Sequence, residues 1–157
     1  MMHIEIFCIG ENKIPYLREG EVDYLSRLSR YCKVHLVCVP GTKMVSSMSP
    51  SLVQKKDWEI LKNAMPERKW CVVLDVKGRG YSSEEFAELL QKWQSQGISK
   101  VFFAIGGPFG LGETAFKEAD LVLSLSKMTF PHELVRLLLF EQLYRAFTIL
   151  RGEKYHK

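Results

Sequence analysis

A mostly parallel α/β sheet with helices on both faces, in one domain spanning residues 1–157, is the fold class that three observations predict. Runs of strand length alternate with amphipathic stretches of helix length from one end of the chain to the other, the pattern of strand–helix–strand units. Two late apolar runs, 101–105 and 121–125, each end in a Gly- or Pro-punctuated loop, Gly106-Gly107-Pro108-Phe109-Gly110-Leu111-Gly112 and Ser126-Lys127-Met128-Thr129-Phe130-Pro131-His132. At 157 residues the chain has the length of one domain with a full core. In open α/β sheets ligands bind beyond the carboxyl ends of the strands. Two such loops, close in sequence, therefore point to one composite pocket.

The elements follow in order. His3–Ile9 reads as a strand. Residues 16–31 carry helical spacing through Leu17, Val22, Leu25 and Leu28, and 34–39 form a β-branched strand. Residues 41–50 are a Ser-, Met- and Gly-containing loop. A helix is expected over 51–65, with Ser49 or Ser51 as its N-cap. Residues 70–76 read as a strand, and Lys77-Gly78-Arg79-Gly80 as a tight basic turn. Ser82-Ser83-Glu84-Glu85 opens a helix to about Gly97, its early acids complementing the helix dipole. Lys100–Ile105 is the fourth strand, 113–118 a short helix and 121–125 the fifth strand. Pro131 suits the first turn of a last helix running to about Arg151.

That last helix is apolar around more than one face, from Leu134 through Leu139 and Phe140 to Leu150. A surface helix shows one apolar stripe. The two readings are a central helix covered by its own chain and a helix covered by a second copy; a homodimer is the expectation.

Composition is that of an ordinary globular chain, 46% hydrophobic and 25% charged, with net charge +4. This is compatible with a polyanionic partner without demanding one. No apolar run has the length of a membrane span, because Arg136, Glu141, Gln142 and Arg145 interrupt 134–150. The start of the chain lacks the basic and apolar regions of a signal peptide. The four cysteines, Cys8, Cys32, Cys38 and Cys71, form no C-x-x-C pair. They read as buried, reduced thiols of a cytoplasmic protein, with no metal-ligand spacing.

Gly110-Leu111-Gly112-Glu113-Thr114-Ala115 matches G-x-G-x-x-A, but the dinucleotide reading fails. An acid is needed about 20 residues on, within a strand–helix–strand unit. Asp120 comes only ten residues after Gly110. Phosphate-loop and nucleophile-elbow motifs are absent. His132, at a helix start where imidazolium is disfavoured, reads as a neutral imidazole. Arg136 lies one turn later on the same face; the pair suits a pocket floor, or an ordinary ion pair for Arg136.

As a set, these segments resemble a known family. Ile105-Gly106-Gly107-Pro108-Phe109-Gly110-Leu111 is similar to its I-G-G-x-x-G-L loop. The run from Leu123 to His132 is similar to its L-S-x-S-x-x-T-x-P-H segment. Glu141-Gln142-Leu143-Tyr144-Arg145-Ala146 and the terminal Tyr155-His156-Lys157 also match. The family is RlmH, the bacterial 23S rRNA pseudouridine-1915 N3-methyltransferases of the SPOUT superfamily. The resemblance runs the length of the chain. Lys157 stands where some members carry Arg, which keeps the charge without bidentate hydrogen bonding.

The resemblance implies a C-terminal deep trefoil knot, otherwise very rare, and S-adenosyl-L-methionine in the knotted cleft. It places the cofactor contacts at Leu74, Gly106, Leu125, Ser126, Lys127, Met128, Thr129 and Phe130. It implies a homodimer acting on 23S rRNA within the assembled ribosome. On that basis His156 is the first candidate for the base that takes the N3 proton, with Tyr155 placing the target and His132 as alternative. Arg136 and Arg145 are candidates to stabilise negative charge on the uracil oxygens or hold a phosphate. Lys77, Arg79, Arg145 and Lys157 are the candidate RNA contacts. Competing readings are a knotted tRNA methyltransferase, a non-enzymatic nucleotide- or RNA-binding module, and a flavodoxin-like protein without a knot.

Overall fold

Strands and helices alternate without exception in the computed structural model, which describes residues 1–66 and 70–157. The order is β1 (His3–Ile9), α1 (Pro15–Leu28), β2 (Lys33–Val39), α2 (Pro50–Ala64), β3 (Cys71–Gly80), α3 (Ser83–Ser95), β4 (Lys100–Ile105), α4 (Gly112–Glu118), β5 (Leu121–Ser124) and α5 (His132–Leu150). The five strands form one sheet in the order β2-β1-β4-β3-β5, every pairing parallel.

Successive strand residues face opposite sides, and the two cores follow. Ile4, Ile6, Cys8, Val72, Leu74, Val101, Phe103 and Ile105 pack with residues of α1, α3 and α5. Phe7, Ile9, Cys71, Val73, Phe102 and Ala104 pack with Trp58 and Leu61 of α2 and Ala115 of α4. Odd-numbered helices thus cover one face and even-numbered helices the other. A sheet buried on both faces explains why its strands read as near-continuous apolar runs.

The helix starts are where local chemistry places them. Ser49 accepts a hydrogen bond from the Leu52 amide at 3.2 Å and caps α2. Ser82 and Glu85 form a reciprocal capping box at α3, with bonds of 3.0 and 2.8 Å. Pro131 stands at the N-cap of α5 rather than inside its first turn.

Two expectations change. The stretch 77–80 is not a tight turn: β3 continues to Gly80, with an irregularity after Leu74. Leu123 of β5 pairs with Leu74 and again with Arg79, so residues 75–78 make an excursion over the end of β5. Gly78 permits it, because a Cβ there would stand 2.6 Å from the Val122 carbonyl oxygen.

Secondly, α5 finds its cover within the chain. All its residues are buried or half-buried, because it lies against both α1 and α3. Gly20 of α1 admits Leu137, whose methyls would come within 2.9 Å of a Cβ. The two apolar faces therefore do not by themselves call for a second copy. Among the described residues no helix is long and apolar enough to cross a membrane.

Candidate functional site

β3 and β4 are neighbours whose following helices go to opposite faces of the sheet. Such a divergence opens a crevice at the carboxyl ends of the strands, and a cleft of about 280 Å³ lies there. Leu74, Asp75 and Val76 contribute one wall. Ile105, Gly106, Gly107, Pro108, Phe109 and Gly110 form the second. Leu123, Leu125, Ser126, Met128, Thr129, Phe130, His132 and Val135 form the third. The two punctuated loops thus make one pocket, joined by the end of β3.

Each loop is held by short-range bonds. Gly110 N–H donates to the Gly107 carbonyl at 3.0 Å, closing the glycine loop. Gly110 and Gly112 have φ of +72° and +80°, a conformation that favours glycine. Gln54 of α2 donates to the Phe109 carbonyl at 2.8 Å, fixing the loop from outside. In the last loop Ser124 Oγ donates to the Ser126 carbonyl, and Met128 N–H donates to Ser126 Oγ at 3.0 Å. Among the described residues the amides of Lys127, Thr129 and Phe130 make no hydrogen bond. Met128 is 75% exposed, and Val76, Phe109 and Phe130 are also exposed. An apolar slot rimmed by free amides suits a planar heterocycle.

Of the eight expected cofactor contacts, Leu74, Gly106, Leu125, Ser126, Met128, Thr129 and Phe130 line the cleft, while Lys127 is exposed outside it. Asp75 was not among the expected residues. Its carboxylate accepts the Lys77 amide at 2.8 Å and faces Gly110 across the cleft mouth. Its position directly after the apolar run of β3 is the signal that would have found it.

The expected catalytic residues divide. His132 lines the cleft. Burial, with a further push from the Arg136 guanidinium, holds its pKa below the ordinary histidine value against the opposing Glu133. Arg136 is not part of the lining: it is 0% exposed, within the core beneath. It donates through Nη2 to the Ile9 carbonyl at 2.7 Å, and its Nε has no partner among the described residues.

Tyr155 and His156 lie elsewhere on the same chain. Tyr155 Oη donates to Glu141 at 3.0 Å and receives Tyr24 Oη at 3.1 Å. His156 sits between Glu84, 2.7 Å from Nε2, and Arg145, 3.0 Å from Nδ1. Arg145 is bound to Glu141 and lies over the Tyr155 ring at 4.9 Å. It is half-buried in this network, whereas Lys77, Arg79 and Lys157 are exposed. Arg79 lies over the Tyr81 ring.

The tail docking has a pH signature. Tyr31 Oη donates to Glu153 at 2.7 Å. That bond, then burial, raises the phenol to about 12; burial and its two partners raise Tyr155 as well. Both shifts favour the neutral phenol when the tail is docked. The Tyr31 contribution is fully present below an ordinary tyrosine pKa of about 10. It is lost as pH rises through about 12. An absorbance titration of the tyrosines should show the phenol near 12 moving to lower pH in Glu153→Ala. Superimposable titrations would show that this bond does not hold the tail.

Comparison with known proteins gives the same picture of the fold and assigns a family. The family described as "Predicted SPOUT methyltransferase" matches residues 2–156. A "Ribosomal RNA large subunit methyltransferase H" of Pelotomaculum thermopropionicum is 43% identical, over 99% of each chain. Its counterpart in Acetivibrio thermocellus is 44% identical, over 99% of this chain and all of that one. Among solved structures, a probable methyltransferase from Bordetella pertussis Tohama I has a TM-score of 0.59 at 11% identity, covering 93% of this chain and 96% of its own. A probable methylase family protein from Haemophilus influenzae has a TM-score of 0.55 at 17% identity, over 98% and 70%. With a match over nearly its whole length, and relatives above 40% identity, this chain belongs to the SPOUT methyltransferase family.

Proposed function

We propose that this protein transfers the methyl group of S-adenosyl-L-methionine to N3 of the pseudouridine at position 1915 of 23S rRNA, on the assembled ribosome. The observation that carries the reading is the cleft built from the ends of β3, β4 and β5, in a chain over 40% identical to rRNA large subunit methyltransferases H. The resemblance supplies the target atom, the homodimer and the cytoplasmic setting.

The cleft residues fit the cofactor. The apolar walls of Leu74, Leu125 and Phe130, with the free amides of Thr129 and Phe130, suit the adenine. Asp75 at the mouth is an acceptor for ribose hydroxyls and a counter-charge for a sulfonium. Bound there, the cofactor supplies an electrophilic methyl group; the protein supplies alignment and exclusion of water.

N3 of the target is a poor nucleophile until its proton leaves. His132, kept neutral by burial and by Arg136, is the proton acceptor already lining the cleft. Tyr155 and His156 take part once the tail exchanges Glu141 and Glu84 for the RNA. Arg136 acts from behind as a positioning residue, and Lys77, Arg79 and Lys157 meet phosphates. Threading of the C-terminus through a trefoil knot is consistent with Leu123 pairing on both sides of the 75–78 excursion, and with α5 entering between α1 and α3.

The test is incubation with labelled S-adenosylmethionine and ribosomes lacking the mark, followed by mass-spectrometric mapping. Label on N3 of the pseudouridine in large-subunit rRNA is the expected result. Cofactor binding with no label on ribosomes, or label on tRNA, would overturn the substrate.

A further inference from the structure

We propose that a second groove, between the 41–43 loop and α2, binds the sugar–phosphate backbone of the RNA beside the methyl-transfer cleft. This rests on the RNA reading above. The groove, about 440 Å³, is lined by Lys43, Lys55 and Lys56. Its acid, Glu59, is engaged by Lys62 at 2.6 Å. All three groove lysines are exposed, and among the described residues none is ion-paired. Three lysines with no ion-pair partner among those residues, against one carboxylate already held by Lys62, leave the groove a net positive potential that an anion relieves.

The groove is held in place. Buried Asp57 of α2 accepts the Thr42 amide at 2.9 Å and its hydroxyl at 2.7 Å. Gly41 is packed so closely that a Cβ would stand 2.6 Å from Ile9 Cγ2. The loop carrying Lys43 is therefore docked against the helix carrying Lys55 and Lys56.

The groove also has a defined relation to the cleft. Because the sheet is all parallel, the β2–α2 loop emerges at the same end as the loops that line the cleft. Gln54, next to Lys55, bonds the Phe109 carbonyl of the cleft wall at 2.8 Å. Lys13 and Lys127 stand on other loops of that end, and Lys77 and Arg79 on the last residues of β3. Lysines are point charges on flexible stems, suited to successive phosphodiesters rather than to one planar anion. The groove thus positions the RNA, and the cleft chooses the base.

The test compares wild type with Lys43→Gln/Lys55→Gln/Lys56→Gln and with a charge-matched control at the opposite end of the sheet, Arg30→Gln/Lys33→Gln/Lys92→Gln. Affinity for unmethylated ribosomes and for protein-free large-subunit rRNA is measured against KCl. Cofactor binding serves as the check on folding. The groove variant should lose about 2 from the slope of log affinity against log salt, and roughly 10- to 100-fold in affinity at low salt, on both targets. The control should keep the wild-type slope, and cofactor affinity should be unchanged in both. An unchanged slope, or equal losses in both variants, overturns the proposal while leaving the methyltransferase reading intact. A loss on ribosomes alone assigns the groove to an acidic protein surface and overturns it too. A wild type that neither binds nor methylates rRNA overturns the reading, and the groove assignment with it.

Discussion

Gly106→Val is expected to abolish cofactor binding, with affinity for S-adenosylmethionine falling by more than about 100-fold, or some 3 kcal/mol. The substitution does not fill the pocket; it breaks the loop that forms its wall. A Cβ at Gly106 would stand 2.7 Å from the carbonyl carbon of Gly110 and 2.9 Å from its Cα. Those are backbone atoms, fixed by the Gly107–Gly110 bridge on one side and by Gln54 on the other. The loop must open to admit the side chain, carrying Pro108 and Phe109 out of the lining. Gly80→Ala is the control, because a Cβ there meets nothing within 4 Å. Calorimetric titration of both variants checks the expectation. An affinity within a few-fold of wild type in Gly106→Val would mean that the glycine loop is not part of the cofactor site.

Arg136 is expected to produce the largest stability effect. Arg136→Ala leaves a void under the cleft and an unpaired Ile9 carbonyl, and should cost about 3–5 kcal/mol. Arg136→Met refills the volume and removes both the buried charge and the orphaned Nε, leaving only the carbonyl unpaired. It should cost at least about 2 kcal/mol less than the alanine variant. Urea midpoints at constant m decide between them. Equal losses in the two variants would place the stabilisation in the hydrogen bond to Ile9 rather than in packing. In the methionine variant the pKa of His132 should also rise, because the guanidinium that lowers it is gone. An NMR titration of the imidazole reads this directly, and a merely structural arginine would not move it.

The strands, the two cleft loops and the helix starts at Ser49 and Ser82 were legible because each depends on a few consecutive residues. Alternation, a capping hydroxyl and a glycine at positive φ are local features, and their consequences are local. The seven expected cofactor contacts that line the cleft wall were reached through a resemblance of motifs, and the loops carrying them emerge together because the sheet is parallel.

What the sequence by itself determined, then, is the order of elements, the sheet with both faces buried, and the end of the sheet where the cleft opens. Only the tertiary structure decided the rest. The continuation of β3 past Val76 depends on Leu123, far along the chain, offering its backbone to Arg79. The cover on α5 depends on α1 and α3 flanking it, which periodicity within α5 cannot report. Arg136 and His132 share a helix face, yet one enters the core and the other the cleft, because the Ile9 carbonyl waits beneath. Tyr155 and His156 look like a frayed end until Tyr24, Glu84 and Glu141 meet them. Each of these outcomes rests on a partner distant in sequence, and local pattern carries no information about such partners.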